Sequence, residues 1–244
     1  MDTNIELCLT LCEKSYDDNN ILETNYKNNN LIIFNKEDAK GFSIELNNIL
    51  YICWRGSYNV TNFIRDIEIL DKKELFLNDK FCGKIHRGFF DYYNLLKENT
   101  INIVKQTKCK KIIFTGHSLG ASILISALEL KLLNPNNNID ISTITFGSPK
   151  LGNNDFVKIF NTEISNSLRI YDSDDVVSKS PLGLNYYHVD KPLKLINKTY
   201  YSWTKVLIGL INILFLKKII KKNELYFHTI ENYKKKINLL TVLK

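Results

Sequence analysis

The chain has 244 residues, of which 44% are hydrophobic and 24% are charged, and its formal net charge is +7. This length and composition fit one folded domain over residues 1–244 and exclude a disordered or fibrous chain. The five cysteines follow no disulfide spacing, and the amino terminus is acidic where a signal peptide is basic, so we expect an intracellular protein, either cytoplasmic or peripheral to membranes.

The first part of the chain predicts one helix followed by a connector. Apolar residues recur at helical spacing over residues 5–16, and the Asn-rich stretch that continues to about residue 30 is polar. Cys8 and Cys12 lie one helical turn apart, but no matching pair of Cys or His follows them. We therefore interpret both cysteines as core residues rather than metal ligands, and we expect no metal or other cofactor.

Strand patterns begin after this connector and then alternate with helical ones. Asn47 and Asn48 separate two apolar runs and tolerate the positive φ angles of a tight hairpin turn. Strands are predicted at residues 31–34, 41–46, 49–54, 111–115, 141–146 and 167–171, and helices at about 60–70, 88–106 and 121–133. Such alternation predicts an α/β fold whose sheet contains parallel strands, with functional residues at the carboxyl ends of the strands.

The most informative motif is residues 116–120 (GHSLG), which joins an apolar strand directly to an apolar helix. A turn this tight strains the residue at its apex, and Gly116 and Gly120 remove the side chains that would collide there. Ser118 would then project above the sheet, beside the amino end of the helix. The pattern predicts that Ser118 is a nucleophile; the alternative is that it only caps the helix.

A serine nucleophile needs a base that takes its proton and a carboxylate that orients this base. Of the four histidines, His117 adjoins the serine on a strand-like segment, where neighbouring side chains point to opposite faces. His86 precedes the serine in the chain, whereas proteins with a serine on such a strand-to-helix turn have the order Ser, Asp, His. His188 closely follows the acidic cluster 172–175 and is interpreted as a partly buried structural residue. His228 is the predicted base.

Six short segments of the chain follow one another in an order that is typical of one family. They are residues 51–57 (YICWRGS), 85–89 (IHRGF), 116–120 (GHSLG), 145–149 (TFGSP) with Gly152, 172–177 (DSDDVV) and 187–189 (YHV). Over about residues 50–233 the chain thereby resembles the class 3 (fungal-type) lipases of the α/β-hydrolase superfamily. The resemblance implies an α/β-hydrolase fold, with a mostly parallel central sheet flanked by helices and with a lid segment.

The resemblance also implies a role for each matched site residue. It makes Ser118 the nucleophile, Asp175 the carboxylate and His228 the base. Ser57 would be the oxyanion residue, and its backbone N–H and hydroxyl would act together with the N–H of Leu119. The alternative for Ser57 is a simple turn residue after a strand.

Two details depart from the family pattern. The family usually has proline two residues after the triad acid, whereas this chain has Val177. Asp174 and Asp172 therefore remain alternatives to Asp175. The elbow also ends in Gly120-Ala121 where many members have two glycines.

The segment 58–70 occupies the position of the family's lid, directly after the oxyanion residue. Its side chains would present an apolar face to a lipid surface (Phe63, Ile64, Ile67 and Ile69) and a charged face opposite (Arg65, Asp66 and Glu68). The alternative is an ordinary surface helix.

The carboxyl-terminal part of the chain is basic and contains an apolar stretch. From Lys191 onward there are 12 lysines and 2 acidic residues. The uncharged core of residues 203–222 is too short to span a bilayer, so this stretch is either a nearly buried helix or an interfacial one. Because the lysines flank apolar residues and no nucleic-acid motif accompanies them, we expect peripheral contact with lipid rather than with nucleic acid.

These observations predict a serine carboxylic-ester hydrolase that acts on acylglycerols through a Ser-acyl intermediate. Its substrate would be a lipid ester at a membrane or lipid-droplet surface, and no obligate protein partner is evident. Two alternatives stay open: a phospholipase A-type acyl hydrolase, and a catalytically inactive lipase-like scaffold.

Overall fold

The computed structural model describes residues 3–69, 71–133, 139–183, 185–189, 191–195 and 225–242. The strands are β1 (Ile32–Lys36), β2 (Ala39–Leu46), β3 (Ile49–Trp54), β4 (Lys72–Leu77), β5 (Lys80–His86), β6 (Lys111–His117), β7 (Asp140–Phe146), β8 (Asn166–Asp172) and β9 (Pro192–Leu195). The α-helices are α1 (Thr3–Lys14), α2 (Asn19–Tyr26), α3 (Val60–Ile67), α4 (Arg87–Gln106), α5 (Ile123–Leu133), α6 (Asn154–Glu163) and α7 (Ile230–Val242).

Seven of the described strands form one sheet in the order β1-β2-β3-β6-β7-β8-β9. The pairs β1–β2 and β2–β3 are antiparallel, whereas β3, β6, β7, β8 and β9 run parallel to one another. The predicted mostly parallel α/β sheet is therefore confirmed. Its parallel strands end at a common edge, where ligands bind in folds of this kind, and both Ser118 and the acidic cluster 172–175 follow such strand ends.

Each face of the sheet carries its own apolar core. Along β6 the buried side chains alternate: Ile112 and Phe114 pack with α4 and α5, whereas Ile113 packs with α1 and α7. Cys8 and Cys12 are fully buried in the second of these cores. Their interpretation as core residues is confirmed.

Three elements differ from the sequence-based expectation. The predicted connector contains α2, which buries Leu22, and one buried side chain gives too weak a period to recognise. The hairpin β4–β5 and the helix α6 were not predicted at all. The turn between β2 and β3 is as expected, because Asn47 and Asn48 have φ angles of 51° and 60°.

Candidate active site

The elbow between β6 and α5 holds Ser118 in a strained backbone conformation. A 3-10 turn, Ser118–Ser122, connects the two elements, and Ser118 has a φ angle of 57°. L-residues seldom adopt this left-handed conformation, which persists only where the surrounding structure enforces it. The strain predicted for the apex of the motif is therefore present at the serine itself.

Close backbone packing is what requires the two glycines of the elbow. A methyl group on Gly116 would collide with the carbonyl of Gly120, and one on Gly120 would collide with the carbonyl of Trp54. The elbow thus packs directly on the end of β3, from which the chain continues to Ser57.

Asp175 and His228 meet beside this elbow although 53 residues separate them in the chain. His228 Nδ1 lies 2.9 Å from Asp175 Oδ2, and both side chains are at most 1% exposed. A carboxylate oxygen accepts, so Nδ1 carries a proton, and in the tautomer with only this proton Nε2 can accept one. Gly147 lies against this pair: its φ is +57°, and a methyl group there would sit 3.0 Å from the His228 ring.

The other bonds of Asp175 stabilise its ionised form. The backbone N–H groups of Val177 and Ser178 donate to Oδ1 at 2.8 and 3.2 Å, and the Tyr233 hydroxyl donates to Oδ2 at 2.7 Å. Burial alone would raise the pKa of Asp175, but the charge of His228 together with these hydrogen bonds lowers it below its usual value. The carboxylate is therefore held in place and held charged.

Ser118 Oγ and His228 Nε2 are the two atoms between which a proton would pass. Both are buried, and neither has a hydrogen-bond partner within the described ranges. Buried polar atoms are normally paired, so two such atoms in one site require an explanation. A nucleophile and its base, waiting for a reacting group, provide one.

The proposed oxyanion residues border the serine. Leu119 follows Ser118 in the 3-10 turn, and a methyl group on Gly56 would lie 3.1 Å from the Cβ of Ser118. Ser57 is half-buried, and its Oγ accepts a hydrogen bond of 3.1 Å from the backbone N–H of Asn59. This bond fixes the Ser57 side chain at the start of the segment that leads to α3.

Asp172 and Asp174, the two alternatives for the acid, lie elsewhere in the network. Asp172 is fully buried and accepts from the side chains of Asn232 and Lys236, and its Oδ1 accepts from the backbone N–H of Asp174. The structure brings His228 to Asp175 and not to either of these residues.

The remaining histidines have other surroundings. His86 caps α4 by accepting from the backbone N–H of Gly88, and His188 lies beside Arg169 and Lys150. Burial, with those two cations adding to it, lowers the pKa of His188 to about 3. His117, which was expected on the face of the strand opposite the serine, is buried, and its ring stacks on that of His228 with 4.6 Å between the centroids.

Sequence reasoning missed the roles of Tyr233, Asn232 and Lys236. All three come from α7 and bond to Asp172 or Asp175. Polar residues on a helix carry no local signal of a buried partner some 60 residues away. A signal would have required the knowledge that this helix packs on the sheet.

Helix α3 lies in the predicted lid position with its apolar face turned inward. Phe63, Ile64 and Ile67 are 9%, 6% and 1% exposed and belong to the same core as Phe89, whose ring centroid is 6.2 Å from that of Phe63. Only Ile69, beyond the helix, is well exposed at 63%. The expected presentation of all four residues to lipid does not hold in this conformation.

The apolar stretch 203–222 lies outside the described residues, so its predicted burial or lipid contact stays a prediction. Among the helices that are described, none has the length and apolar character of a membrane span.

The known proteins to which this chain is similar in sequence include lipases and phospholipases. A family model described as lipase (class 3) matches residues 51–184. Secreted mono- and diacylglycerol lipase 1 of Fusarium solani is 28% identical over 172 residues, covering 66% of this chain and 49% of that protein. Phospholipase A1-II 1 of Oryza sativa subsp. indica is 28% identical over 154 residues, covering 53% of this chain and 39% of that protein.

Solved structures share the fold at low sequence identity. The triacylglyceride lipase of Rhizomucor miehei superposes with a TM-score of 0.64 at 22% identity and covers 79% of each chain. The chain spans half or less of the length of the two curated relatives named above. Since the family model matches more than half of this chain and the fold agrees, the protein belongs to the class 3 lipases and has the α/β-hydrolase fold.

Proposed function

We propose that this protein hydrolyses lipid esters, with acylglycerols as its principal substrates, through an acyl intermediate on Ser118. The observation that carries the proposal is the bond between His228 Nδ1 and Asp175 Oδ2, with Ser118 Oγ and His228 Nε2 buried and unpaired beside it. The family supports the same reaction class.

The reaction follows from this geometry. His228 Nε2 takes the proton of Ser118 as Oγ attacks the ester carbonyl, and Asp175 stabilises the imidazolium that forms. The backbone N–H groups of Ser57 and Leu119 stabilise the oxyanion, each lowering the barrier by roughly 3 kcal/mol. His228 then protonates the departing alcohol. In the second half of the reaction His228 takes a proton from water, the water oxygen attacks the acyl carbon, and His228 returns the proton to Ser118 Oγ as the carboxylic acid leaves.

The buried triad gives α3 a role in this proposal. Ser118, Asp175 and His228 are at most 1% exposed, so a lipid chain reaches them only after a covering segment moves. We assign this movement to residues 58–69, whose inward apolar face would turn toward a lipid surface. The substrate is accordingly proposed to be met at a membrane or lipid-droplet surface.

Phospholipid is the second candidate substrate. The similarity to a rice phospholipase A1-II 1 favours it, because that protein matches this chain at the same identity as the Fusarium enzyme. Both candidates use the same acyl-transfer chemistry, so they differ only in which ester the pocket accepts.

The test is acyl release from triacylglycerol, monoacylglycerol, phosphatidylcholine and a soluble short-chain ester. The wild type should hydrolyse acylglycerol fastest, and Ser118→Ala should lose about a millionfold in kcat and all labelling by a fluorophosphonate. Ser126→Ala is the matched control, because Ser126 Oγ is also buried and unpaired but lies on α5, away from the elbow. This control should keep full activity.

Each other outcome is informative. Faster hydrolysis of phosphatidylcholine than of acylglycerol would make phospholipid the principal substrate and would leave the proposed mechanism unchanged. A folded wild type that neither hydrolyses any ester nor reacts with the probe would make the chain an inactive scaffold and overturn the proposal.

A further inference from the structure

His117 contacts the base through atoms that the triad does not use, and Tyr16 contacts His117 in turn. The rings of His117 and His228 stack with an interplanar angle of 30°. His117 Nε2 lies 2.7 Å from the backbone carbonyl oxygen of His228, and His117 Nδ1 lies 3.0 Å from the Tyr16 hydroxyl. The Tyr16, His117 and His228 residues thus form one continuous chain of contacts.

Hydrogen-bond chemistry determines which atom is the donor in each of these contacts. A carbonyl oxygen can only accept, so His117 Nε2 carries the proton and Nδ1 is the acceptor for the Tyr16 O–H. Burial, followed by the charge of His228, lowers the pKa of His117 to about 3, and burial raises the pKa of Tyr16 well above its usual value. Both groups are neutral, and each polar atom has one partner of the right kind.

We propose that Tyr16 and His117 are positioning residues that hold the backbone and the ring plane of His228, so that Nε2 stays directed at Ser118. The proposal rests on the function proposed above. A single bond from Nδ1 to Asp175 leaves the imidazole free to tilt about that bond, and a tilt displaces Nε2 from the serine. The bond to the His228 carbonyl and the ring stack remove this freedom.

Through His117, Tyr16 also connects His228 to residues 56–58, which include the proposed oxyanion residue Ser57. Its hydroxyl lies so close to Gly56 that a methyl group there would collide with it. The Tyr58 hydroxyl donates to the Tyr16 carbonyl at 3.1 Å, and the two rings meet edge to face at 5.8 Å. Tyr16 therefore contacts Gly56 and Tyr58, on the two sides of Ser57, and it also contacts His117.

Two substitutions at His117 separate positioning from packing. The side-chain N–H₂ of glutamine can reach the His228 carbonyl as His117 Nε2 does, whereas leucine fills similar space without a donor. On a soluble short-chain ester, His117→Leu should lower kcat about tenfold with KM unchanged, and His117→Gln should stay within about threefold of the wild type. Rates of fluorophosphonate labelling should follow the same order.

Tyr16→Phe tests the contact between Tyr16 and His117, because this change deletes only the hydroxyl. We expect a severalfold lower kcat at unchanged KM. Tyr51→Phe is the matched control, because it also deletes only a tyrosine hydroxyl, one that donates to Asn4 at the start of α1, 2.9 Å away. This control should keep the wild-type kcat, and urea unfolding of every variant should verify the fold.

Two results would overturn the positioning role. The first is equal loss in His117→Leu and His117→Gln, which would show that the hydrogen bond donated to the His228 carbonyl does not hold the base. The second is wild-type kcat in all folded variants, which would make the contacts purely structural. A wild type without esterase activity or labelling would instead overturn the proposed function, and the positioning role with it.

Discussion

Two buried aspartates, three residues apart at the end of β8, have partners of different kinds. Asp172 accepts from Asn232 and Lys236, whereas Asp175 accepts from Tyr233 and His228. A lysine ammonium has no lone pair to take up a proton, but a neutral imidazole has one. The partner, and not the burial of the carboxylate, therefore separates a contact that can only support the fold from one that can take part in the proposed catalysis.

Among changes to the two aspartates and their partners, Asp175→Asn should have the greatest effect, a loss of catalysis. An amide can bond to His228 in the wrong tautomer and cannot stabilise the imidazolium, so kcat should fall by about 10⁴. Asp174→Asn is the control and should change kcat by less than about threefold, since His228 bonds to Asp175. Steady-state hydrolysis of a soluble ester measures both, and similar losses would mean that the acid is shared.

The next effect is on stability and comes from Lys236→Met. It leaves the fully buried Asp172 carboxylate without its cation, so the free energy of unfolding should fall by about 3 kcal/mol. The double variant Asp172→Asn/Lys236→Met should recover part of this loss, and the exposed neighbour Lys235→Met should change little.

Urea unfolding measures these differences, while kcat per folded molecule should stay within a few-fold. A catalytic loss in Lys236→Met as large as that of Asp175→Asn would abolish the distinction between the two carboxylates.

A smaller effect is expected at Tyr233, whose hydroxyl bonds to both aspartates. The Tyr233 hydroxyl accepts from the backbone N–H of Asp172 at 3.0 Å and donates to Asp175. Tyr233→Phe should therefore lower kcat about threefold to tenfold and the free energy of unfolding by about 1–2 kcal/mol. Tyr226→Phe, half-exposed in the same segment, should do neither; a change in stability alone would remove Tyr233 from the support of the triad.

The last expected effect depends on pH and leaves catalysis aside; it concerns His188, a buried histidine that lies beside cations instead of a carboxylate. The pKa of His188 is lowered to about 3, against about 6.5 in an unfolded chain. Between these values the unfolded chain holds a proton that the folded one does not, so stability falls as the pH drops below about 6.5.

Between pH 7 and pH 5 this contribution is at most about 2 kcal/mol. His188→Gln should make the loss of unfolding free energy smaller by that amount in urea titrations at the two pH values. An unchanged pH dependence would show that His188 takes up its proton in the folded protein.

Local signals were sufficient for the parts of the fold that carry Ser118, the proposed nucleophile. The apolar runs of β6, β7 and β8 and the spacing of Gly116 and Gly120 were enough to predict the sheet and the elbow, because strand burial and backbone collision are both local properties. The family resemblance added Ser57 and favoured Asp175, but it left Asp174 and Asp172 as alternatives, and only the structure places His228 on Asp175.

Other elements were missed for two different reasons. The β4–β5 hairpin carried a turn signal like that of Asn47 and Asn48, since Asn78 and Asp79 both have positive φ angles, but its strands mix apolar and charged residues. The contacts of His117 with Tyr16 carried no signal at all. They join residues 101 positions apart, which only the packing of α1 on the sheet brings together.

The distribution of the site along the chain bears on how shortened versions of this protein would behave. The family match ends at residue 184, whereas His228 follows it and Tyr16 precedes it. A fragment cut to residues 51–184 would keep Ser118 and Asp175 but would lack the base. It would also lose α1 and α7, expose the apolar face of the sheet that they cover, and aggregate when expressed alone.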